Sequence, residues 1–451
     1  GTKTCIMRVV IGGAGAVGTH LARLLSGENQ DVILMDSDKE KLNLSKGNLE
    51  IMTMEGSTTS LKDLSEVGVK NADLFIGVTP DESVNITSCM LAAKMGAKKT
   101  FARIDNFEYL LPKNKEFFES LGINSMVYPE MLAAKEIVSA LKRPWVRLCV
   151  ELFGGSIILV GVKVRDNSEL ADKYLYEISN TQKKFHIVAI KRNNRTIIPK
   201  GKDKVQPDDI VFFTTTNEFI DEIPAITGKE KFEVKNVMIM GGSRIAIRTC
   251  QYLPGDTNIK LLEVDKDKCY KLLEIVPKIV TVFQDDGRNS EFMQQESIRN
   301  IDAFIAVTGN SEANILACLA AKRFGVRKTV AEVENMDYIS MAENLNIGSI
   351  INKKLITVSN IYRFLLNADV TNVKTLTFAN ADVAEIVARP NSRITKKEIK
   401  SLSLPNNMTI GGLMRNGEAM LVDGDTQIEP YDNVVVFCLD DALREAEKLF
   451  N

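Results

Sequence analysis

The feature that most constrains the fold is a repeat, because the second half of the chain copies the first. Residues 72–79 (ADLFIGVT) match residues 301–308 (IDAFIAVT), and Gly13 in a glycine-rich stretch matches Gly241. These offsets, 229 and 228 positions, are far longer than the roughly 20–50 residues of a solenoid repeat. The 451 residues therefore form two tandem copies of one set of domains, with small insertions or deletions in their loops.

Each copy begins with strands that alternate with helices. Short apolar, β-branched runs in the first copy predict buried strands at residues 7–12, 31–36, 50–54, 73–78 and 98–104. The segments between these strands predict helices at residues 17–26, 39–46, 59–67 and 82–95. Strands and helices of these lengths indicate right-handed βαβ crossovers and a parallel sheet that is covered on both faces. We therefore expect a Rossmann-like, doubly wound α/β domain in each copy.

A different pattern follows each of these large domains. Residues from about 147 to 227 and from about 370 to 451 are rich in predicted strands, and the motif around Arg192 recurs around Arg415. We therefore expect a small α+β domain after each large one, and four domains in all. The expected domain boundaries are 7–145, 146–228, 233–365 and 370–451. The charged segment 228–232 (GKEKF) is expected to be a solvated linker between the copies.

The glycine-rich stretch has the spacing of a nucleotide-binding loop. Gly13, Gly15 and Gly18 lie between a predicted strand and a predicted helix, and Asp36 ends the next strand. In such a loop the first glycine permits a tight turn, the second lets a pyrophosphate approach, and the third lets helix and strand pack closely. Asp36 would accept hydrogen bonds from ribose hydroxyls and repel a 2′-phosphate. The motif favours NAD(H) or ATP/ADP over NADP(H); the alternative is a glycine-rich turn without a ligand.

Residues after the other strands are expected to close the same crevice, since the carboxyl ends of parallel strands meet at one edge. Thr79 and Pro80 follow the fourth predicted strand, and Arg103 ends the fifth. The Arg103 guanidinium could bind a phosphate through two hydrogen bonds, or could form a surface salt bridge. Asn85 could belong to the network at the start of the helix or could bind the ligand.

The second copy departs from this pattern. Ser243 and Ala246 replace the second and third glycines, and Glu332 replaces the arginine at the end of the fifth strand. A serine mildly obstructs the approach of a ligand to the backbone, and a carboxylate would repel a pyrophosphate. Glu263 keeps the acidic residue for ribose. We therefore expect a degenerate second site that binds nucleotide more weakly than the first.

Composition argues against several other classes of protein. The chain has 57 Lys and Arg against 59 Asp and Glu, so its net charge of −2 favours neither nucleic acid nor an anionic membrane. No apolar run approaches the roughly 18 residues of a membrane-spanning helix, so we expect no membrane insertion. The seven cysteines form no CxxC pair, which argues for reduced thiols and against a metal site. We expect a cytoplasmic protein.

The sequence offers little for acid–base catalysis. It contains two histidines, of which His20 follows the glycine motif and His186 lies in a predicted strand of the first small domain. A dehydrogenase needs a proton donor or acceptor beside the nicotinamide, and neither histidine is suited to that role. We predict no catalytic residue and no enzymatic activity. Two alternatives stay open: an NAD-dependent oxidoreductase with an unrecognised acid–base residue, and a structural adaptor whose Rossmann-like domains are empty.

Several segments, taken together and in order, carry a resemblance to a known family. They are residues 7–18 (MRVVIGGAGAVG), 78–85 (VTPDESVN), 101–104 (FARI) and 207–209 (PDD). The chain resembles RCK (regulator of potassium conductance) domains, in the tandem arrangement of the regulatory subunits of bacterial Trk potassium-uptake systems. The resemblance covers essentially all 451 residues. It implies a nucleotide-binding N-lobe and a small C-lobe in each copy.

The resemblance also implies a function. NAD(H) or ATP/ADP would change the shape of a homo-oligomeric ring, a dimer or a tetramer, and thereby the potassium flux through a TrkH-type or TrkG-type membrane channel. The protein would be cytoplasmic and peripheral to the inner membrane through that partner. Carried over to this sequence, the first nucleotide site comprises Gly13, Ala14, Gly15, Ala16, Val17, Asp36, Thr79, Pro80 and Arg103. Its copy comprises Gly241, Gly242, Ser243, Arg244, Ile245, Glu263, Thr308, Gly309 and Glu332.

Overall fold

The computed structural model describes residues 6–26, 30–46, 51–179, 184–287, 291, 298–363, 366, 369–376, 379–440 and 442–451. Cys5, position 50 of the predicted third strand and position 365 at the end of the predicted third domain lie outside these residues. The chain forms two compact units, the first comprising Gly1–Leu132 and Lys353–Leu365, the second Ala133–Asn352 and Leu366–Asn451.

The first unit contains a six-stranded sheet in the order β3-β2-β1-β4-β5-β6. Its strands are β1 (Arg8–Gly12), β2 (Asp31–Asp36), β3 (Met52–Glu55), β4 (Leu74–Gly77), β5 (Lys99–Arg103) and β6 (Ser125–Val127). Every pair of neighbouring strands is parallel. The strand order reverses between β1 and β4, so the loops that follow these two strands diverge and leave a crevice.

The second unit contains three sheets. A six-stranded parallel sheet has the order β14-β13-β12-β15-β16-β17, and two five-stranded antiparallel sheets have the orders β10-β9-β11-β8-β7 and β18-β19-β22-β20-β21. The strands of the first small sheet are β7 (Leu148–Leu152), β8 (Ile157–Lys163), β9 (Phe185–Arg192), β10 (Arg195–Ile197) and β11 (Ile210–Thr216). The parallel strands are β12 (Asn236–Met240), β13 (Asn258–Glu263), β14 (Thr281–Gln284), β15 (Ala303–Ala306), β16 (Lys328–Glu332) and β17 (Ser349–Ile351). The strands of the second small sheet are β18 (Asp369–Leu376), β19 (Ala381–Val387), β20 (Met408–Arg415), β21 (Glu418–Met420) and β22 (Asn433–Leu439).

The helices alternate with the parallel strands as the sequence predicts. They are α1 (Ala16–Ser26), α2 (Lys39–Lys46), α3 (Leu61–Val67), α4 (Glu82–Met95), α5 (Lys115–Ser120), α6 (Pro129–Lys142), α7 (Leu175–Ser179), α8 (Ile223–Thr227), α9 (Arg244–Tyr252), α10 (Lys266–Ile275), α11 (Ser311–Arg323), α12 (Met336–Asn344), α13 (Lys353–Tyr362) and α14 (Leu443–Glu447). The predicted fold class, tandem Rossmann-like domains each followed by a small α+β domain, is confirmed. No helix in the described part of the chain is long and apolar enough to span a membrane.

One helix joins the unit formed by the other copy. Helix α13 follows the last parallel strand of the second copy, yet it packs against α1 in the first unit. Its inward face buries Ile356, Val358 and Ile361, which are at most 5% exposed. Burying these apolar side chains stabilises the first unit. The first unit therefore includes a segment that lies more than 200 positions away along the chain.

The two small sheets share one hydrophobic core in the second unit. Phe212 of β11 and Phe437 of β22 are at most 1% exposed, and their ring centroids are 6.0 Å apart. The Thr214 hydroxyl donates a hydrogen bond of 2.7 Å to the carbonyl oxygen of Gly411 on β20. A Cβ atom at Gly411 would lie only 2.8 Å from the Thr214 methyl group, so this close approach requires glycine. The duplicated small domains therefore pack against each other.

The motif that the two small domains share forms a buried ion pair in each. Arg192 Nε and Nη2 each donate a 2.8 Å hydrogen bond to one oxygen of Asp209, which is 1% exposed. Arg415 and Asp432 repeat this arrangement at 2.9 and 2.7 Å. Two parallel, charge-assisted hydrogen bonds hold strand and turn together. The shared motif therefore has a structural role.

Replacing Arg192 with leucine should lower the free energy of unfolding of the second unit. Asp209 would keep its hydrogen bond from the Gln206 N–H group but would remain buried without a countercharge. We expect a loss of about 2 kcal/mol, less than the roughly 3–5 kcal/mol of a fully buried pair, because 34% of the Arg192 side chain is exposed. Urea denaturation measures this loss, and Arg195→Leu at an exposed neighbouring position is the matched control. Equal stability of the two variants would contradict the assignment.

Candidate functional site

The glycine loop after β1 is held tightly against the start of α1. Gly13 has φ +121°, and its N–H group donates a 2.9 Å hydrogen bond to the Met35 carbonyl oxygen. A Cβ atom at Gly18 would overlap the carbonyl oxygen of Gly13. Both positions therefore require glycine for the reasons that the sequence predicts: a left-handed turn at Gly13 and close packing of helix and strand at Gly18.

The same loop is open on the side where a ligand would approach. A Cβ atom at Gly15 would meet no atom within 4 Å. Ala16, which begins α1, is exposed, whereas the side chains of Ala14 and Val17 are buried. Those two residues could therefore contact a ligand only through their backbone. The first N–H groups of the 11-residue helix α1 are donors of the kind that bind anions such as a pyrophosphate.

Asp36 is attached to the glycine loop. One oxygen of its carboxylate accepts a 2.8 Å hydrogen bond from the Ala14 N–H group, and the other accepts a 2.8 Å bond from the Asp38 N–H group. Each carboxylate oxygen can accept a further hydrogen bond, so ribose hydroxyls could still bind. The contact of Asp36 with ribose stays a prediction, and the sequence did not reveal the bond that fixes Asp36 to the loop.

Asn85 links the ends of two strands to the start of α4. Its side chain is 1% exposed, and its amide donates 2.9 Å hydrogen bonds to the carbonyl oxygens of Thr79 and Arg103. Its Oδ1 atom accepts from the N–H group and the hydroxyl of Thr79, at 2.9 and 2.7 Å. These bonds satisfy the polar atoms of Asn85, so its role is to position the loops.

Arg103 forms an ion pair in this structure. Its Nη2 atom lies 3.5 Å from Oε1 of Glu130, and Lys353 Nζ lies 3.8 Å from the same oxygen. Glu130 is 5% exposed, and its other oxygen is buried without a hydrogen-bond partner in the described part of the chain. Two cations therefore meet one buried carboxylate. No motif in the sequence indicates Glu130, and Lys353 belongs to α13, which reaches this unit from the other copy.

The structure brings most of the predicted first-site residues to the crevice between β1 and β4. Ala14 is bonded to Asp36, and a Cβ atom at Gly13 would lie 2.9 Å from the Thr79 backbone nitrogen. Pro80 follows as an exposed residue. Arg103 joins this arrangement through its carbonyl oxygen, while its guanidinium is held by Glu130. Ligands of open α/β sheets bind at such a reversal of strand order.

The second copy has a cavity of about 270 Å³ at the equivalent crevice, between β12 and β15. Of the predicted residues, those that line it are Gly241, Gly242, Ser243, Glu263, Thr308 and Gly309. Arg244, Ile245 and Glu332 are not among its lining residues, and Ile245 and Glu332 are buried. The cavity also includes Asp285 and Asp286, which the sequence did not identify. These carboxylates disfavour phosphates there.

Glu263 repeats the attachment seen at Asp36. Its carboxylate accepts hydrogen bonds from the N–H groups of Gly242, at 3.0 Å, and Asp265, at 2.9 Å. Burial opposes its ionisation, but these bonds and the Lys268 ammonium at 3.5 Å hold the pKa of Glu263 below its usual range. The Ser243 hydroxyl accepts a 3.3 Å hydrogen bond from the Ala246 N–H group at the start of α9. Ser243 therefore caps the N-terminus of α9.

The pKa values of both histidines lie below the usual value, which favours their neutral forms. Burial lowers the pKa of His20, and Arg23 and Lys354 lower it further. Burial also lowers the pKa of His186 on β9.

Within the described residues, no group of three or more His, Cys, Asp or Glu side chains is arranged to hold a metal ion.

Two protein-family models match the chain, each of them twice. The TrkA-N domain matches residues 9–129 and 237–353. The TrkA-C domain matches residues 159–227 and 383–451. The order of these matches, large and small and then large and small again, is the order of the sheets in the structure.

Individual proteins are similar over nearly the whole chain. The Trk system potassium uptake protein TrkA of Haemophilus influenzae is 30% identical over 98% of both chains. Among solved structures, the RCK domain of GsuK is similar in fold, with a TM-score of 0.61 and 13% identity. The match covers 99% of this chain and 96% of the GsuK chain. The GsuK channel bound to NAD also covers 99% of this chain and 79% of its own, with the same TM-score and identity. At this identity the two structures show a shared fold.

Proposed function

This chain belongs to the TrkA family of potassium uptake proteins, and from that membership we propose that it is a nonenzymatic, nucleotide-binding regulatory subunit of a Trk-type potassium channel or transporter. The observation that carries the proposal is the first glycine loop. It is rigid at Gly13 and Gly18, open at Gly15 and tied to Asp36. This is the arrangement that an adenine nucleotide needs for its phosphates and its ribose.

The proposed ligand is NAD(H) or ATP/ADP, bound in the crevice between β1 and β4. The phosphates would lie against the loop and the N-terminus of α1, and Asp36 would accept hydrogen bonds from the ribose. Support comes from the space beside Gly15 and from the hydrogen bond that ties the Asp36 carboxylate to the loop. The bound NAD of a channel with the same fold is consistent with this ligand class.

The second crevice is proposed to be the weaker site. Its cavity of about 270 Å³ keeps the acidic residue at Glu263 but adds Asp285 and Asp286. Three carboxylates in one cavity disfavour a pyrophosphate. The nine residues named for the first site remain predictions, as do the four domain boundaries, and the second site would comprise Gly241, Gly242, Ser243, Glu263, Thr308 and Gly309 of its nine.

Regulation of the channel by a nucleotide would depend on a difference in nucleotide affinity between two conformations of the regulatory assembly. A nucleotide can change the state of a channel only if it binds one conformation of the regulatory assembly more tightly than another. We propose that the assembly is a homo-oligomeric ring, a dimer or a tetramer. It would lie on the cytoplasmic side of the inner membrane, docked to a TrkH-type or TrkG-type channel subunit, and would bind no nucleic acid.

Reconstitution with a membrane partner tests this function. Potassium flux into vesicles that contain a TrkH-type channel and the full chain should differ at least about fivefold between two of the four nucleotides ATP, ADP, NAD⁺ and NADH, a typical allosteric coupling. The Asp36→Ala variant should lose this difference, and Glu263→Ala should keep most of it. Flux that none of the four nucleotides changes would contradict the proposal.

A further inference from the structure

A second cavity, of about 490 Å³, lies in the second unit between the first small sheet and the second parallel sheet. Cationic side chains dominate its wall. Arg327 is paired at 3.0 Å with Glu230, which is the one carboxylate that lines the cavity in the described part of the chain. Six further cations line the same cavity: Arg147, Lys163, Arg165, Lys229, Lys322 and Lys328.

Lys328 is the most buried of these cations. It begins β16, it is 3% exposed, and its ammonium donates hydrogen bonds to the Val146 carbonyl oxygen at 2.8 Å and the Ser349 hydroxyl at 3.0 Å. Burial, together with nearby cations of which Arg147 acts most strongly, lowers the pKa of Lys328 to about 7. Lysine is rarely buried without a paired anion, because losing its hydration is unfavourable.

The acidic groups near the cavity do not balance these cations. Asp208 lies 4.0 Å from Lys163 and is 81% exposed, so water screens that pair. Glu343 faces Arg147 and Lys191, and its own burial raises its pKa. Burial and four neighbouring cations lower the pKa of Lys229 to about 8. Within the described residues, the cavity therefore keeps an excess of positive charge.

This cluster is not shared by the two copies. Lys328 corresponds to Lys99 at the start of β5, which is exposed in the first unit, and Lys322 corresponds to Ala93. Lys229 lies in the segment 228–232, which the sequence predicted to be a solvated linker. Lys229 lines the cavity and is only partly exposed, so this residue is less solvated than the rest of a linker would be. The cluster therefore combines a linker residue with cations of both neighbouring domains.

We propose that this cavity binds a small anion with several phosphate groups, such as a pyrophosphate, a tripolyphosphate or the phosphate chain of a nucleotide. Several phosphates can meet several cations at once, and arginine and lysine are the side chains that bind phosphate oxygens best. The volume falls in the range of small-molecule sites and is too small for a macromolecule. The site is separate from the glycine loop, so it does not depend on the function proposed above.

Calorimetric titration of the full chain with inorganic tripolyphosphate tests the proposal. This probe has no adenosine, so its binding does not require the crevice with Asp36. We expect saturable binding to the wild type and a loss of affinity of about tenfold or more in the double variant Arg165→Gln/Lys229→Gln, since two phosphate-binding cations are removed. Neither residue is fully buried, so the variant should fold. Adding Lys328→Gln to the double variant should weaken the binding of tripolyphosphate further.

Lys99→Gln is the matched control, because it removes the equivalent lysine of the first copy. It should bind tripolyphosphate as tightly as the wild type. No saturable binding to the wild type would overturn the proposal, and so would equal affinity of the wild type and the double variant. Failure of all four nucleotides, ATP, ADP, NAD⁺ and NADH, to bind would contradict the nucleotide-sensing function and leave this result unaffected.

Discussion

Replacing Gly18 with alanine is expected to destabilise the parallel sheet of the first unit by about 3 kcal/mol or more and to abolish nucleotide binding there. The new methyl group would overlap the carbonyl oxygen of Gly13, which is backbone and cannot rotate away. The loop would have to move away from α1, and overpacking of this kind typically costs about 1–3 kcal/mol and occasionally more. Native-state hydrogen exchange of the β1 amides measures the loss locally.

Gly15→Ala provides the control for this substitution. Its methyl group meets no atom within 4 Å, so stability should change by less than about 0.5 kcal/mol. Nucleotide affinity should nevertheless fall, because the methyl group would stand between the loop and a pyrophosphate. Full exchange protection in Gly18→Ala would show that the loop tolerates a side chain and that its geometry differs from the one described.

The second copy suggests how an alanine can be tolerated at this position. There Ala246 replaces the third glycine, and the hydroxyl of Ser243, which replaces the second, accepts a hydrogen bond from the Ala246 N–H group. The double variant Gly15→Ser/Gly18→Ala copies this pair into the first loop. It should recover part of the stability that Gly18→Ala loses.

Replacing Asp36 with alanine is expected to lower nucleotide affinity about 100-fold or more. The substitution removes the acceptor for two ribose hydroxyls, and hydrogen bonds to a charged group contribute about 1.5–3 kcal/mol each. It also releases the Ala14 N–H group from its 2.8 Å hydrogen bond, so the loop loses an attachment. Isothermal titration calorimetry measures the change.

Asp38→Ala is the matched control for Asp36. Asp38 is a nearby exposed acid whose carboxylate caps the start of α2 by accepting from the Glu40 N–H group at 2.9 Å. Asp38→Ala changes the net charge by the same amount as Asp36→Ala, and it should leave nucleotide affinity within about twofold of the wild type. Equal losses in the two variants would point to a general effect of charge instead of a contact with Asp36.

Local patterns predicted much of this molecule. The repeat, the buried strands, the glycine spacing and the acid at Asp36 each depend on residues that are close in sequence or recur at a fixed offset. The roles of Gly13 and Gly18 followed from backbone geometry that only glycine satisfies. These features can be predicted from the sequence because their physical causes are local.

Other features depend on tertiary contacts and could not be predicted from the sequence. The partner of Arg103 is Glu130 at the start of α6, and no motif in the sequence indicates that residue. Lys353 joins the same carboxylate because α13 packs against α1, an arrangement that no periodicity encodes. The cationic cavity is assembled from five separate stretches of chain, so the balanced overall composition does not reveal its local charge.

The central claim is that the first crevice binds an adenine nucleotide. Calorimetric titration of the full chain with ATP, ADP, NAD⁺ and NADH, each repeated with Asp36→Ala, tests it most directly. The account predicts saturable binding of at least one of the four to the wild type, and a much weaker response in the variant. Absence of saturable binding for all four, or binding that Asp36→Ala leaves unchanged, would contradict it.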